Sequence, residues 1–138
     1  MTSPTNAQLK KLESTARRAA ARAHAPYSQF RVGAAVLTPS GEIFAGCNVE
    51  NASFGLSNCA ERTAIFNAVA SGKKPLQLKC ILVYTPTKTA TTPCGACRQV
   101  IHEFGPDAEV ISICDSNERI NVSIGTLLPG AFGPQDLM

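Results

Sequence analysis

The chain has no tryptophan, only two tyrosines and little charge: 17% of its residues are Asp, Glu, Lys or Arg, and the formal net charge is +3. A protein that tracks a polynucleotide needs a dense basic stripe interleaved with stacking aromatics, so this composition argues against a nucleic-acid partner. The basic residues that do cluster, Lys10, Lys11, Arg17, Arg18 and Arg22, have the spacing of a solvated helix face. No apolar run approaches the roughly 20 residues that cross a bilayer, which leaves no membrane partner. The opening MTSPTNAQLKKLE lacks an apolar signal core, and a cytoplasmic location is expected. There is no internal repeat and no low-complexity linker. The 138 residues are expected to form one domain, 1–138, and the 44% hydrophobic content argues against disorder.

Six cysteines are present. In a reducing compartment they point to metal binding or burial before disulfides. Their placement depends on the elements. Leu9, Leu12, Ala16, Ala19, Ala20 and Ala23 recur at helical spacing, so residues 7–24 read as an amphipathic helix ended by Pro26. Two β-rich runs flank the turn signal PSGE and form a hairpin. A helix is expected from about Cys59 to Ala70, with Asn58 as its cap and Ser71-Gly72 as its stop. KCILVYT is a buried strand, and EVISIC is another. Between them, Thr92-Pro93 reads as a cap and first-turn proline opening a helix to Phe104. INVSIGTLL is either a strand leading into a short helix or one irregular stretch. Strands alternating with helices imply an α/β layered sheet with at least one parallel pair.

The chemistry gathers at two helix starts, NCAERTA and PCGACRQV. On a helix, Cys94 and Cys97 project their thiols from one face, a spacing that suits a tetrahedral metal. Cys59 joins them if the two helix N-termini meet, and such a terminus favours the thiolate a metal needs. Zinc is the expected metal. Three protein ligands leave a fourth position open, as in a catalytic rather than a structural site. A closed four-cysteine site would need Cys47, Cys80 or Cys114, each set in an apparent strand and better read as a buried inert thiol. Glu61, two residues after Cys59, is placed to move protons between water and a substrate. Three thiolates leave a zinc site with net charge −1 and poor Lewis acidity. Bringing bound water from pKa 15.7 to about 7 corresponds to roughly 12 kcal/mol. A guanidinium donating to a ligand sulfur would withdraw charge; Arg62 is the first candidate for that role and Arg98 the second.

Cys59-Ala60-Glu61 followed by Pro93-Cys94-Gly95-Ala96-Cys97 matches the zinc-deaminase signature. Together with PYSQFRVGAAVLT, GCNVENASFGLSNCAERTAIFNAV and LLPGAFGPQDL, it closely resembles the small homotetrameric cytidine deaminases, from about Pro26 to Leu137. The resemblance implies a three-layer α/β/α fold on a mixed five-stranded sheet. It implies hydrolytic, zinc-dependent deamination of cytidine and 2′-deoxycytidine. It assigns Asn48 and Glu50 to the ribose 3′-hydroxyl, Phe30 to packing on the nucleoside, and the Ala60 N–H to the base carbonyl. It assigns the Thr92 carbonyl to the leaving amine, and Phe132 to a neighbouring subunit's site. Thr92 stands where serine is common and Phe54 where many members have tyrosine. The rival with the same chemistry is a blasticidin S deaminase; the rival without chemistry is a closed zinc module that binds a partner.

Overall fold

The structure, a computed structural model, describes residues 3–138. Helix α1 (Asn6–Ala20) begins at a capping box: the Thr5 hydroxyl accepts from Gln8 N, and the Gln8 side chain accepts from Thr5 N. It ends earlier than its alanine pattern predicts. The chain leaves helical geometry after Ala21 so that His24 N can donate to Asn48 O, which anchors the connection to the next element. Strands β1 (Gly33–Leu37) and β2 (Ile43–Cys47) form the expected hairpin, closed through Gly41 at φ +93°.

After a short 3₁₀ turn (Phe54–Leu56) come α2 (Ala60–Ala70), β3 (Cys80–Tyr84), α3 (Gly95–Phe104), β4 (Glu109–Ile113), β5 (Arg119–Ser123) and α4 (Ile124–Leu127). INVSIGTLL is thus a strand running into a short helix. The five strands make one mixed sheet in the order β2-β1-β3-β4-β5, in which only β3 and β4 are parallel, joined by α3. This is the three-layer arrangement on a mixed five-stranded sheet that the family resemblance implies. On one face, Leu12 and Ala16 of α1 pack on Ala35, Leu37, Leu82, Ile111 and Ile113. On the other, Ala64 and Ile65 of α2 and Ile101 of α3 pack on Val36, Ile81 and Val110. Alternate residues of one strand serve opposite cores, as the pleat requires. Each fully buried Leu or Ile contributes roughly 1.5–3 kcal/mol over its exposed state.

Two glycines let the helices sit directly on the hairpin. A Cβ on Gly33 would lie 1.8 Å from Ala16 O of α1; one on Gly46 would lie 2.2 Å from Ala64 N of α2. The second approach fixes α2 one turn beyond Cys59, and so sets where the first cysteine stands.

Candidate metal centre and cavity

Both helices that supply sulfur start on a cysteine. Cys59 is the N-cap of α2 and Cys94 the N-cap of α3, each in extended geometry. The expected caps, Asn58 and Thr92, are used otherwise. The Asn58 amide donates to the Thr63 hydroxyl, and the Thr92 hydroxyl accepts from Arg98. Pro93 accordingly lies before the helix rather than in its first turn.

The three sulfurs of Cys59, Cys94 and Cys97 all lie within 4.8 Å of one another, and Cys59 Sγ is 3.9 Å from Cys94 Sγ. Tetrahedral zinc with Zn–S of about 2.3 Å needs sulfurs about 3.8 Å apart, so the donor set fits that ion in type and spacing. Hydrogen bonding from Cys97 draws Cys59 down to about 5, helped by Arg62, whose Nη2 donates to Cys59 Sγ at 3.3 Å. The same Cys97–Cys59 bond, together with burial, raises Cys97. Arg62 therefore stands where a charge-withdrawing donor was expected. Arg98 does not: its three contacts go to Pro93 O, Thr92 Oγ1 and Leu127 O, and none to sulfur. The reason is direction, since its side chain leaves α3 toward the preceding loop and α4.

Glu61 is 6% exposed. Burial pushes its carboxyl up to about 7, the Cys59 charge adds to the rise, and Arg62 opposes it. A group so placed can both accept and release a proton near neutral pH. Glu61 lines a cavity of about 220 Å³ with Phe30, Val32, Asn48, Cys59, Ala60, Val83, Thr85, Thr91 and Thr92. The cavity opens at the carboxyl end of β3, against the N-termini of α2 and α3, where α/β sheets commonly hold ligands.

Phe30, Asn48, Ala60 and Thr92 thus share one cavity with Cys59 and Glu61, but Glu50 and Phe132 do not line it. The Asn48–Glu50 stretch lies beyond the end of β2 and is extended by single bridges at Val49. Asn48 is engaged by the chain itself: Oδ1 accepts from Val32 N at 2.9 Å and Nδ2 donates to Phe30 O at 2.7 Å. Glu50 accepts from Tyr27 N, Ser28 N and the Ser28 hydroxyl, and the last of these chiefly holds its carboxyl below the usual range. Together they splint residues 27–32, where Gln29 adopts φ +58°. Phe132 is 57% exposed, its backbone held by Gln99 Nε2 to Phe132 O at 2.8 Å.

Among the other cysteines, Cys80 and Cys114 are buried, whereas Cys47 is half-exposed at the end of an edge strand, contrary to expectation. It borders a groove of about 950 Å³ between α1, β2 and α2. That groove is larger than the catalytic candidate, yet neither the sulfur triad nor Glu61 lines it, so size does not locate the chemistry. Sequence reasoning missed Thr85 and Thr91 as lining residues. Their Thr-rich stretch was visible, but only the course of the chain after β3 brings it to the cavity.

Residues 6–113 match the cytidine and deoxycytidylate deaminase zinc-binding region. The chain is 42% identical over 130 residues to the cytidine deaminase of Sporosarcina psychrophila, covering 94% of each. It is 47% identical over 132 residues to a probable cytidine deaminase of Dictyostelium discoideum, covering 95% of this chain and 88% of that one. Among solved structures, the cytidine deaminase of Burkholderia pseudomallei superposes with a TM-score of 0.86 at 48% identity, over 94% of this chain and 100% of that one.

Proposed function

The chain belongs to the cytidine and deoxycytidylate deaminase zinc-binding family, and from that premise we propose that it hydrolyses cytidine and 2′-deoxycytidine to uridine and 2′-deoxyuridine with release of ammonia. The observation that carries this reading is a buried carboxyl, Glu61, on the wall of a small cavity that also contains Cys59 of the sulfur triad. Cys59, Cys94 and Cys97 would hold zinc. When bound, zinc supplies the Lewis acidity that makes water a nucleophile near neutral pH.

The remaining work falls to the chain's own groups. Glu61 takes a proton from the attacking water and delivers it to the ring nitrogen beside the amine-bearing carbon. It then carries the proton of the newly added hydroxyl to the amine, so that the carbonyl forms as the C–N bond breaks and ammonia leaves. Ala60 N–H faces the base carbonyl, the Thr92 carbonyl faces the amine, and Phe30 covers the ring. Arg62 draws charge from Cys59. Asn48 and Glu50 serve the ribose, and the Glu50 carboxylate disfavours a phosphate on the sugar.

We read residues 1–138 as one domain and the working unit as a homotetramer in the cytoplasm, acting in pyrimidine salvage. Support for assembly comes from large apolar side chains left exposed outside the cavity, Phe54, Leu56, Phe66 and Phe132. Phe132 in particular has no place in its own chain's cavity, and a neighbour's cavity is the role proposed for it. No helix among the described residues is long and apolar enough to cross a membrane.

The test is ammonia release by the purified protein from cytidine, deoxycytidine, CMP, cytosine and blasticidin S, with and without a zinc chelator. Chelator-sensitive turnover of the two nucleosides alone is the expected result. Turnover of blasticidin S alone would keep the chemistry and remove the ribose roles of Asn48 and Glu50. Protein that keeps zinc in a closed site and turns over nothing would be the partner-binding zinc module.

A further inference from the structure

The cavity rim formed by Thr91 and Thr92 leads directly into Pro93 and the metal-ligating candidate Cys94. This segment has little to fix it. Among the described residues no loop backbone hydrogen bond involves Thr91 or Thr92, and Pro93 has no N–H to give. What holds it is a side chain. Arg98 Nε donates to Pro93 O at 2.7 Å and Nη2 to the Thr92 hydroxyl at 2.8 Å. Its third nitrogen, Nη1, donates to Leu127 O at 2.9 Å, at the end of α4. One planar group thus ties the rim to the last turn of another helix.

Arg98 also sits in the first turn of α3, where the helix dipole disfavours a cation. It makes no contact with a carboxylate or with sulfur that would offset this. A residue type unsuited to its place on the helix, with all three nitrogens used on neighbouring backbone and hydroxyl oxygens, is chosen for its fork. Lysine has a single ammonium and cannot reach three acceptors in fixed directions.

We propose that Arg98 is a positioning residue: through Pro93 O and the Thr92 hydroxyl it sets where the Thr92 carbonyl stands over the cavity, anchored on Leu127. The proposal rests on the deaminase reading for what that carbonyl faces, but the anchorage itself does not.

The experiment compares Arg98→Lys, Arg98→Met, Thr92→Val and the double variant Arg98→Met/Thr92→Val. Each is assayed for zinc content, for kcat/KM on cytidine and for backbone order parameters at Thr91, Thr92 and Cys94. Arg98→Lys and Arg98→Met should each lose about 10–10²-fold in kcat/KM with zinc content unchanged. Thr92→Val should lose less, and the double variant should be no worse than Arg98→Met, because the Thr92 hydroxyl acts only through Arg98. Order parameters of the rim should fall in both Arg98 variants and stay unchanged in β1 and β3. Full activity in Arg98→Lys, zinc loss that tracks activity, additive effects in the double variant, or rim order parameters equal to wild type would each overturn the proposal. Inactive wild-type protein would sink the functional reading instead, and the order parameters would still decide whether Arg98 holds the rim.

Discussion

The two halves of the proposed site are built in different ways. The metal half is compact and made of neighbours. Two helix N-termini, an i, i+3 cysteine pair, and Arg62 one turn after Cys59 bring three sulfurs within 4.8 Å. The half we assign to the nucleoside is dispersed. Phe30, Asn48, Glu50 and Phe132 come from loops and the C-terminal stretch, their contacts are mostly with backbone, and Glu50 and Phe132 stand outside the cavity. The first half is stabilised by local geometry. The second depends on loops held by single side chains and, in our reading, on another copy of the chain.

If that contrast is right, damage to the metal half should be total and damage to the nucleoside half graded. Cys97→Ser should give the largest effect. The site would lose a soft donor that is fully buried between two others, so zinc content should fall to near zero and activity below about 10⁻⁴ of wild type, by metal analysis and ammonia release. Asn48→Ala should be milder but doubly visible. It leaves Val32 N–H and Phe30 O without their partner, which costs about 1 kcal/mol of stability by denaturant midpoint, and it raises KM more than it lowers kcat. Phe132→Ala should keep zinc and fold and lower kcat/KM about tenfold, with the loss restored, in the assembly we propose, when it is mixed with chains that keep Phe132 but carry Glu61→Gln.

The smallest effect on activity concerns thiols outside the site. Burial pushes Cys80 up to about 12, so at pH 8 its reactive thiolate is only about 10⁻⁴ of the total. A raised pKa means the neutral form prevails at every pH below that value, and labelling should begin only under strongly alkaline or unfolding conditions. After chelation, iodoacetamide should modify Cys59, lowered to about 5, and the exposed Cys94, and should spare Cys80. Mass mapping of the modified peptides decides it.

The contrast also explains what the sequence could convey. The extents of α2 and α3 to within two residues, the i, i+3 sulfur pair and the turn at Gly41 depend on a few adjacent residues, so they are legible, as is a layered sheet with a parallel pair; the mixed five-stranded order is legible only through the family resemblance. The misreadings arose where distant groups compete. Thr92 has the chemistry of a cap, but Arg98, reaching back from α3, takes its hydroxyl and leaves Cys94 as the cap. Asn58 is likewise taken by Thr63. Arg98 and Arg62 look alike in sequence, each following a key residue by one position, yet only one side chain is aimed at sulfur. The end of α1 was set too late because alanine periodicity runs on past the point where His24 turns to meet Asn48.

The central claim is the division of labour between the sulfur triad and Glu61, and Glu61→Gln tests it most directly. The substitution keeps size and removes the ability to carry a proton. The account predicts zinc at the wild-type stoichiometry, unchanged melting within a few degrees, and a fall in kcat of more than about 10⁴-fold on cytidine, beyond the usual 10²–10⁴ for a single proton transfer because one carboxyl serves several. Loss of zinc together with activity would make Glu61 a ligand or a fold residue. Activity near wild type would remove it from the chemistry, and either result would contradict the account.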